Sequence, residues 1–385
     1  MIKFNVYNGG VKLYFGLNTI NNASKYLTGF KKLLIVTGKK SAKISGALDD
    51  ILKILDEKGI EYSIYNEIRP NPVTDNVRGL VEKYNAEEAE GFIAIGGGSI
   101  IDAVKAARAV ISGGGDIVEY LEGKRHIPVN QPFLLAINLT HGTGTEIDRY
   151  AVVTIPETKE KIGFAPGYPT VSIDDPRYTV TLPRNQTIYT SIDAFAHAVE
   201  SATSVYASPY TYLLAAESVK YIVAYLPRAL KNPSDIEARY WLLYASMIAG
   251  ISIDHGVTHL GHGLEHILSG YNPDLPHGAG LAILYKGLMR YFYELNPEVM
   301  CKILKPLDPT LRPRKEDAEK AQEAYNLFLE SIGYKETLST YGFDEDIIRE
   351  LVKNFYELPK MKKYHLLSPR IPSMEEIYKI MSSLI

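Results

Sequence analysis

The stretch "GFIAIGGGSIIDAVKAARAVIS" (residues 91–112) decides how the first half of this chain folds. A short, almost wholly apolar run, "GFIAI", has the length of a core strand. It meets three glycines, Gly96, Gly97 and Gly98, and passes into the helical pattern of "IIDAVKAARAVIS" (100–112). A strand with no polar face must be covered on both sides, and a helix following directly is the usual way to cover it in a parallel sheet. The same alternation surrounds it. "KKLLIVTG" (31–38), "EYSIYNEI" (61–68) and "PFLLAINLT" (132–140) read as strands. "SGALDDILKILDEKG" (45–59) and "NPVTDNVRGLVEKYNAEEA" (71–89) read as helices. Residues 146–175 look irregular or antiparallel.

Near "TLPRNQT" (181–187) the pattern changes. Strand signals nearly vanish, and "SIDAFAHAVESATS", "YTYLLAAESVKYIVAYLPRAL", "DIEARYWLLYASMIAGISID" and "EDAEKAQEAYNLFLESIG" all carry helical periodicity. The expectation is an α/β N-terminal dinucleotide-binding domain over 1–183 and an all-α domain over 184–385, with an active site in the cleft between them. A chain of 385 residues suits two cores better than one. Hydrophobic residues make up 46% and charged residues 23%, with a net charge of −3 and no basic stripe, which argues against a nucleic-acid partner. The apolar runs are far too short to span a membrane. With one cysteine, no leader-like start and no long apolar segment, a cytoplasmic enzyme is expected.

Two stretches suit a nucleotide. In "AIGGGSIIDAVKAA" (94–107), Ser99 reads as the helix N-cap and Asp102 falls in the first turn; free N–H groups at a helix start favour anions. "NLTHGTGTEID" (138–148) alternates Gly142 and Gly144 with Thr143 and Thr145, a set suited to hydrogen bonding a phosphate, sugar or amide. Either could be an ordinary loop, but two such turns after strands fit a nucleotide in the crevice of a doubly wound sheet.

Histidines are the second anomaly. The chain has 9, and His255, His259, His262, His266 and His277 crowd into "HGVTHLGHGLEHILSGYNPDLPHG" (255–278). The first four are spaced as on one face of a helix, and His277 lies beyond a loop containing Gly270, Pro273 and Pro276. A carboxylate partner is available where Asp193 and His197 stand four apart. Asp plus three imidazoles is a donor set suited to Fe²⁺ or Zn²⁺.

The motifs "IAIGGGSIIDAVKA", "GTGTE", "DAFAHAVES", "HGLEH" and "PHG" occur in the order found in the iron-containing (group III) alcohol dehydrogenases, which the chain resembles over residues from about 30 to 290. The resemblance implies metal ligands Asp193, His197, His262 and His277, with His266 close to the nicotinamide and substrate but not a ligand. His255 and His259 are expected to belong to a polar or packed helix face. Cofactor contacts are expected from Gly38, Lys39, Ser41, Asn71, Gly97, Gly98, Ser99, Asp102, Thr140, Thr143, Thr145 and Lys161. Where the family often has Asp after its "IVT" strand, this chain has Gly38, Lys39, Lys40 and Ser41, which favours NADP(H) over NAD(H). Departures are His141 for the usual Ala, Thr145 for Ser, and Ile147, Asp148 and Arg149 after Glu146; they bear on which alcohol is used. The implied activity is reversible oxidation of an alcohol to an aldehyde or ketone by a homodimer. The competing readings are a glycerol or polyol dehydrogenase of the same superfamily, which typically lacks the imidazole at His197, and a metal-dependent hydrolase, which would have no use for the two Gly/Thr turns.

Overall fold

The computed structural model describes residues 4–385. The chain divides into two compact units. One runs to Leu182 and takes in Ser234–Leu243; the other comprises Pro183–Pro233 and Tyr244–Ile385.

The first unit is built on a sheet of β1 (Phe4–Asn8), β2 (Val11–Phe15), β3 (Lys32–Thr37), β4 (Glu61–Tyr65), β5 (Gly91–Gly96), β6 (Phe133–Asn138) and β9 (Val171–Asp174). These stand in the order β1-β2-β9-β6-β5-β3-β4. All neighbours are parallel except the β1–β2 hairpin. Alternate residues of each strand point to opposite faces, and both faces are apolar. Leu33, Ile35, Ile93, Ile95, Leu135 and Ile137 enter one core with Ile51 and Leu55 of α2 (Ala47–Lys58), which follows the short α1 (Ser41–Ile44). Leu34, Val36, Phe92, Ala94, Leu134 and Ala136 enter the other with α3 (Thr74–Ala86), α4 (Gly98–Gly113) and α5 (Ile117–Leu121). This two-sided burial is why these strands lack polar alternation. The chain goes from β3 outward to β4, then returns to the other side of β3 for β5, so the sheet reverses direction between β3 and β5. Ligands of doubly wound folds bind at the carboxyl ends of strands at such a point.

Residues 146–175 hold an antiparallel ribbon, β7 (Ala151–Ile155) with β8 (Glu160–Phe164), and then β9. The strand β9 is inserted parallel between β2 and β6, a long-range pairing that no local pattern signals. Helix α3 starts only at Thr74, because Asn71 adopts φ 54° and Pro72 follows it. Ser99 is not the N-cap of α4. Gly97 is, and Ser99 lies inside the helix with its Oγ accepting from the backbone N–H of Asn71 at 3.3 Å.

Helix α4 is buried almost all round, including Lys105 and Asp102. The Lys105 ammonium donates to Thr145 Oγ1 (2.8 Å), to the Asp148 carbonyl (2.9 Å) and carboxylate (3.1 Å), and to the Tyr150 carbonyl (2.8 Å). His141, also fully buried, sits 3.2 Å from the Arg239 guanidinium.

The second unit is helical: α6 (Arg184–Ser201), α7 (Pro209–Lys231), most of α8 (Ile236–Gly256), α9 (Leu260–Tyr271), α10 (His277–Leu295), α11 (Pro297–Leu304), α12 (Ala318–Ser331), α13 (Glu345–Glu357), α14 (Lys362–Leu367) and α15 (Met374–Ser382). Among the described residues no helix is long and apolar enough to cross a membrane.

Two stability tests follow. Lys105→Met leaves Asp148 as a buried charge without its ammonium. It should cost about 3–5 kcal/mol in urea unfolding, the usual penalty for breaking a buried pair; near-neutral behaviour would refute the bracing role. His141 is held down to about 3 from 6.5 by burial and then by the Arg239 charge. Between those values the unfolded chain binds a proton that the folded chain refuses. Stability contributed here is therefore complete above the unfolded value and is lost as pH falls through the window. The acid-side loss of stability should be shallower in His141→Gln than in wild type, measured as melting temperature against pH.

Candidate metal centre and dinucleotide seat

In the second unit, α6 places Asp193, His197 and Glu200 at intervals of four and three, on one face. The four histidines read as one helical face do not share a helix. Helix α8 ends at Gly256, Val257 adopts φ 54°, and α9 restarts with His259 as its N-cap residue. The left-handed Val257 ends α8, and Gly256 before it is packed so closely that a Cβ there would lie 2.4 Å from the Ser201 carbonyl oxygen. The restart leaves His255 exposed, edge-on to Tyr210, and buries His259, whose Nε2 is 3.0 Å from Thr203 Oγ1. Only His262 and His266 lie on α9. Gly270 is part of that helix and not of the following loop. His277 is the first residue of α10, which packs so closely on α6 that a Cβ at Gly278 would stand 2.0 Å from the Tyr189 carbonyl oxygen.

This brings Asp193, His197, His262 and His277 together. Asp193 Oδ1 lies 3.5 Å from His197 Nε2, 3.7 Å from His262 Nε2 and 3.5 Å from His277 Nε2. The His197 and His262 rings stack at 4.7 Å. Donor atoms of Asp193, His262 and His277 all lie within 4.8 Å of one another. These separations are too long for hydrogen bonds, and Asp193 Oδ1 and His262 Nε2, both buried, make none. Donors about 2.1 Å from a shared tetrahedral ion lie about 3.4 Å apart, so the hollow matches a metal cage. Buried polar atoms left without partners are costly unless something fills the space between them. Burial alone would raise the Asp193 carboxyl, but His197, His262 and His277 hold it well below the usual carboxylate range. Burial, opposed by the Asp193 charge, lowers His197 to about 4. At neutral pH the Asp193 carboxyl is thus ionised and the His197 ring neutral.

Two carboxylates that sequence reasoning missed orient the cage. Glu200, wholly buried, accepts from the backbone N–H of His259 and from that of His262 (3.0 Å), and from Tyr285 Oη (2.9 Å). Its Oε1 lies 2.8 Å from His262 Nδ1. Glu265 is hydrogen-bonded to His277 Nδ1. With each Nδ1 engaged, each Nε2 is turned to the hollow, the usual way an imidazole ligand is aimed. The signals were present: Glu200 sits inside "DAFAHAVES" on the helical face of Asp193, and Glu265 sits inside "HGLEH". His266, one turn beyond His262, has its ring centroid 5.6 Å from that of His277, and its Nδ1 lies 2.6 Å from Tyr364 Oη. Glu265, His266 and His277 also converge, but two of the three are already bonded to each other.

In the first unit, the expected cofactor residues gather after successive strands: Gly38, Lys39 and Ser41 after β3, Asn71 after β4, Gly97, Gly98, Ser99 and Asp102 after β5, and Thr140, Thr143 and Thr145 after β6. Lys161 lies on β8, its charge reaching Asp102. The glycines also serve the protein itself. A Cβ on Gly97 would meet Thr140 Cγ2 at 2.7 Å, and one on Gly98 would meet Thr143 Cγ2 at 2.5 Å. Asp102 is engaged at both oxygens, accepting from Thr145 Oγ1 (2.6 Å) and from the Val152 N–H (2.9 Å). Asp102 and Thr145 therefore brace the two turns against each other.

Residues 10–176 match the family model for iron-containing alcohol dehydrogenase, and residues 187–385 match the C-terminal model of the Fe-containing alcohol dehydrogenase family. A long-chain primary alcohol dehydrogenase of Thermoanaerobacter ethanolicus is 39% identical over 347 residues, 88% of this chain and 87% of that enzyme. Two solved structures superpose closely. An archaeal halo-thermophilic alcohol dehydrogenase from a Red Sea brine pool has a TM-score of 0.90 at 29% identity, covering 100% of both chains. An NADH-dependent butanol dehydrogenase of Thermotoga maritima has a TM-score of 0.88 at 30% identity, covering 98% of each.

Removing either kind of support should separate binding from aiming. His262→Ala should abolish stoichiometric Fe²⁺ or Zn²⁺ binding, measured by metal analysis after dialysis. Glu200→Gln should weaken it about 10–100-fold, as loss of an orienting partner does elsewhere. Wild-type affinity in Glu200→Gln would remove the aiming role.

Proposed function

The chain belongs to the iron-containing alcohol dehydrogenase family and is an alcohol oxidoreductase, and we propose that it moves hydride reversibly between an alcohol, or the corresponding aldehyde or ketone, and NADP(H). The observation that carries this reading is the hollow among Asp193 Oδ1 and three imidazole Nε2 atoms, in a chain whose other unit holds Gly/Thr turns at a sheet switch point. A divalent ion in that cage, iron by family, would act as a Lewis acid on the alcohol oxygen. The chain's own residues do the rest. Asp193, His197, His262 and His277 would hold the ion, and Glu200 and Glu265 fix the rings of His262 and His277. Backbone N–H groups at Gly97 and Gly98 favour the pyrophosphate. His266 serves the substrate oxygen as hydrogen-bond donor or proton carrier. His197 supports the iron group over the polyol type, and the dinucleotide turns count against a hydrolase.

Two departures from the family pattern are occupied internally: His141 with Arg239 and Asp148 with Lys105. They support a role in bracing the first unit over a role in reading the alcohol. The preference for NADP(H) rests on the end of β3. Gly38 has space around it, a Cβ there meeting only Ser41 Oγ at 3.2 Å, and Lys39, Lys40 and Ser41 are exposed. No carboxylate follows the strand to repel a 2′-phosphate, while two ammonium groups and a hydroxyl can receive it. Initial rates with a panel of primary alcohols and aldehydes test the reading. The wild type should show higher kcat/KM with NADPH than with NADH, and Gly38→Asp should shift toward NADH. A wild type preferring NADH tenfold, about 1.4 kcal/mol the other way, would reverse the cofactor assignment. No turnover with either cofactor would end the whole proposal.

A further inference from the structure

His266 has a partner that the metal cage does not require. Tyr364, on the short helix α14, is buried at 4% exposure, and its Oη lies 2.6 Å from His266 Nδ1. The two rings meet edge to face at 5.7 Å and 88°. The approach is prepared in the sequence of α9. Gly263 sits between the ligand His262 and His266, and a Cβ there would stand 2.7 Å from Tyr364 Cγ and 2.8 Å from Phe355 Cε2. Only glycine lets this phenol lie against that turn. Burial, and then the Glu200 and Glu265 carboxylates, hold the phenol protonated far above its ordinary range. Among the described residues the hydrogen-bond partner of this hydroxyl is His266 Nδ1, and a protonated phenol has a proton to donate there.

We propose that Tyr364 is a positioning residue that fixes His266 as the Nε2–H tautomer, so that this imidazole meets the substrate as a hydrogen-bond donor. A neutral imidazole has one donor and one acceptor nitrogen. With Nδ1 accepting, the ring proton is on Nε2. The tautomer and the ring orientation are thus set from the far side of the ring, by an element remote in sequence. A donor suits the reductive direction, in which negative charge grows on the carbonyl oxygen. The proposal rests on the placement of His266 beside the substrate given above.

The test compares Tyr364→Phe, His266→Ala and the double variant as metal-loaded holoenzymes in aldehyde reduction. Phenylalanine removes only the hydroxyl and keeps the ring under Gly263. Tyr364→Phe should lower kcat about tenfold, the order seen when one orienting hydrogen bond is lost, with KM, metal content and melting temperature as in wild type. The double variant should be no slower than His266→Ala, because without the imidazole the phenol has nothing to orient. Wild-type kcat in Tyr364→Phe, loss of metal in that variant, or losses that multiply in the double variant would each overturn the proposal while leaving the dehydrogenase reading intact. A fully active His266→Ala would instead overturn the placement of His266, and this proposal with it.

Discussion

The Glu200 carboxylate is the interaction on which the second unit turns. A buried carboxylate is unfavourable unless its charge is met and its oxygens are hydrogen-bonded. Glu200 is met on every side: by the first N–H groups of α9, by the His262 ring and by Tyr285 Oη. Burial alone would raise it, yet the His262 charge and hydrogen bond bring it down to about 2. In return His262 rises to about 9 against its own desolvation. One side chain thus satisfies a helix start, sets the angle of the His262 ring and ties α6 to α9 and α10. Gly261 makes this possible, since a Cβ there would lie 2.5 Å from Glu200 Oε1 and 2.8 Å from the Tyr285 ring.

The same economy explains the motif glycines. Gly97 and Gly98 leave room for Thr140 and Thr143, Gly261 for Glu200, Gly263 for Tyr364 and Gly278 for the backbone of α6. None of these has the positive φ that usually calls for glycine. What they share is close approach, where one methyl group would displace a neighbouring element. The motifs are therefore packing instructions as much as binding instructions.

In the first unit three pairs of buried polar groups satisfy one another. Asp102 with Thr145, Lys105 with Asp148 and His141 with Arg239 lock α4 to the loop after β6 and to the segment 234–243. This matters for a seat that must hold a flexible dinucleotide, because donors held rigid before binding cost less to order when the ligand arrives.

The sequence by itself determined whatever rests on local pattern. Apolar runs without alternation marked β3, β5 and β6, helical periodicity marked the second unit, and spacing by four set Asp193 beside His197. It also carried the family, because each motif is a short stretch that can be recognised locally. Tertiary structure alone decided the rest. Strand β9 enters the sheet by pairing with partners distant in sequence. The evenly spaced histidines are split because the chain leaves α8 at the left-handed Val257 and restarts as α9 after His259, so helical spacing misplaced His255 and His259. Glu265, inside a recognised motif, and Tyr364, 98 residues from its imidazole, gain their roles only when helices pack. Periodicity reports which face a residue occupies on its own element; which group meets it there depends on contacts between elements, and those are absent from any local stretch of chain.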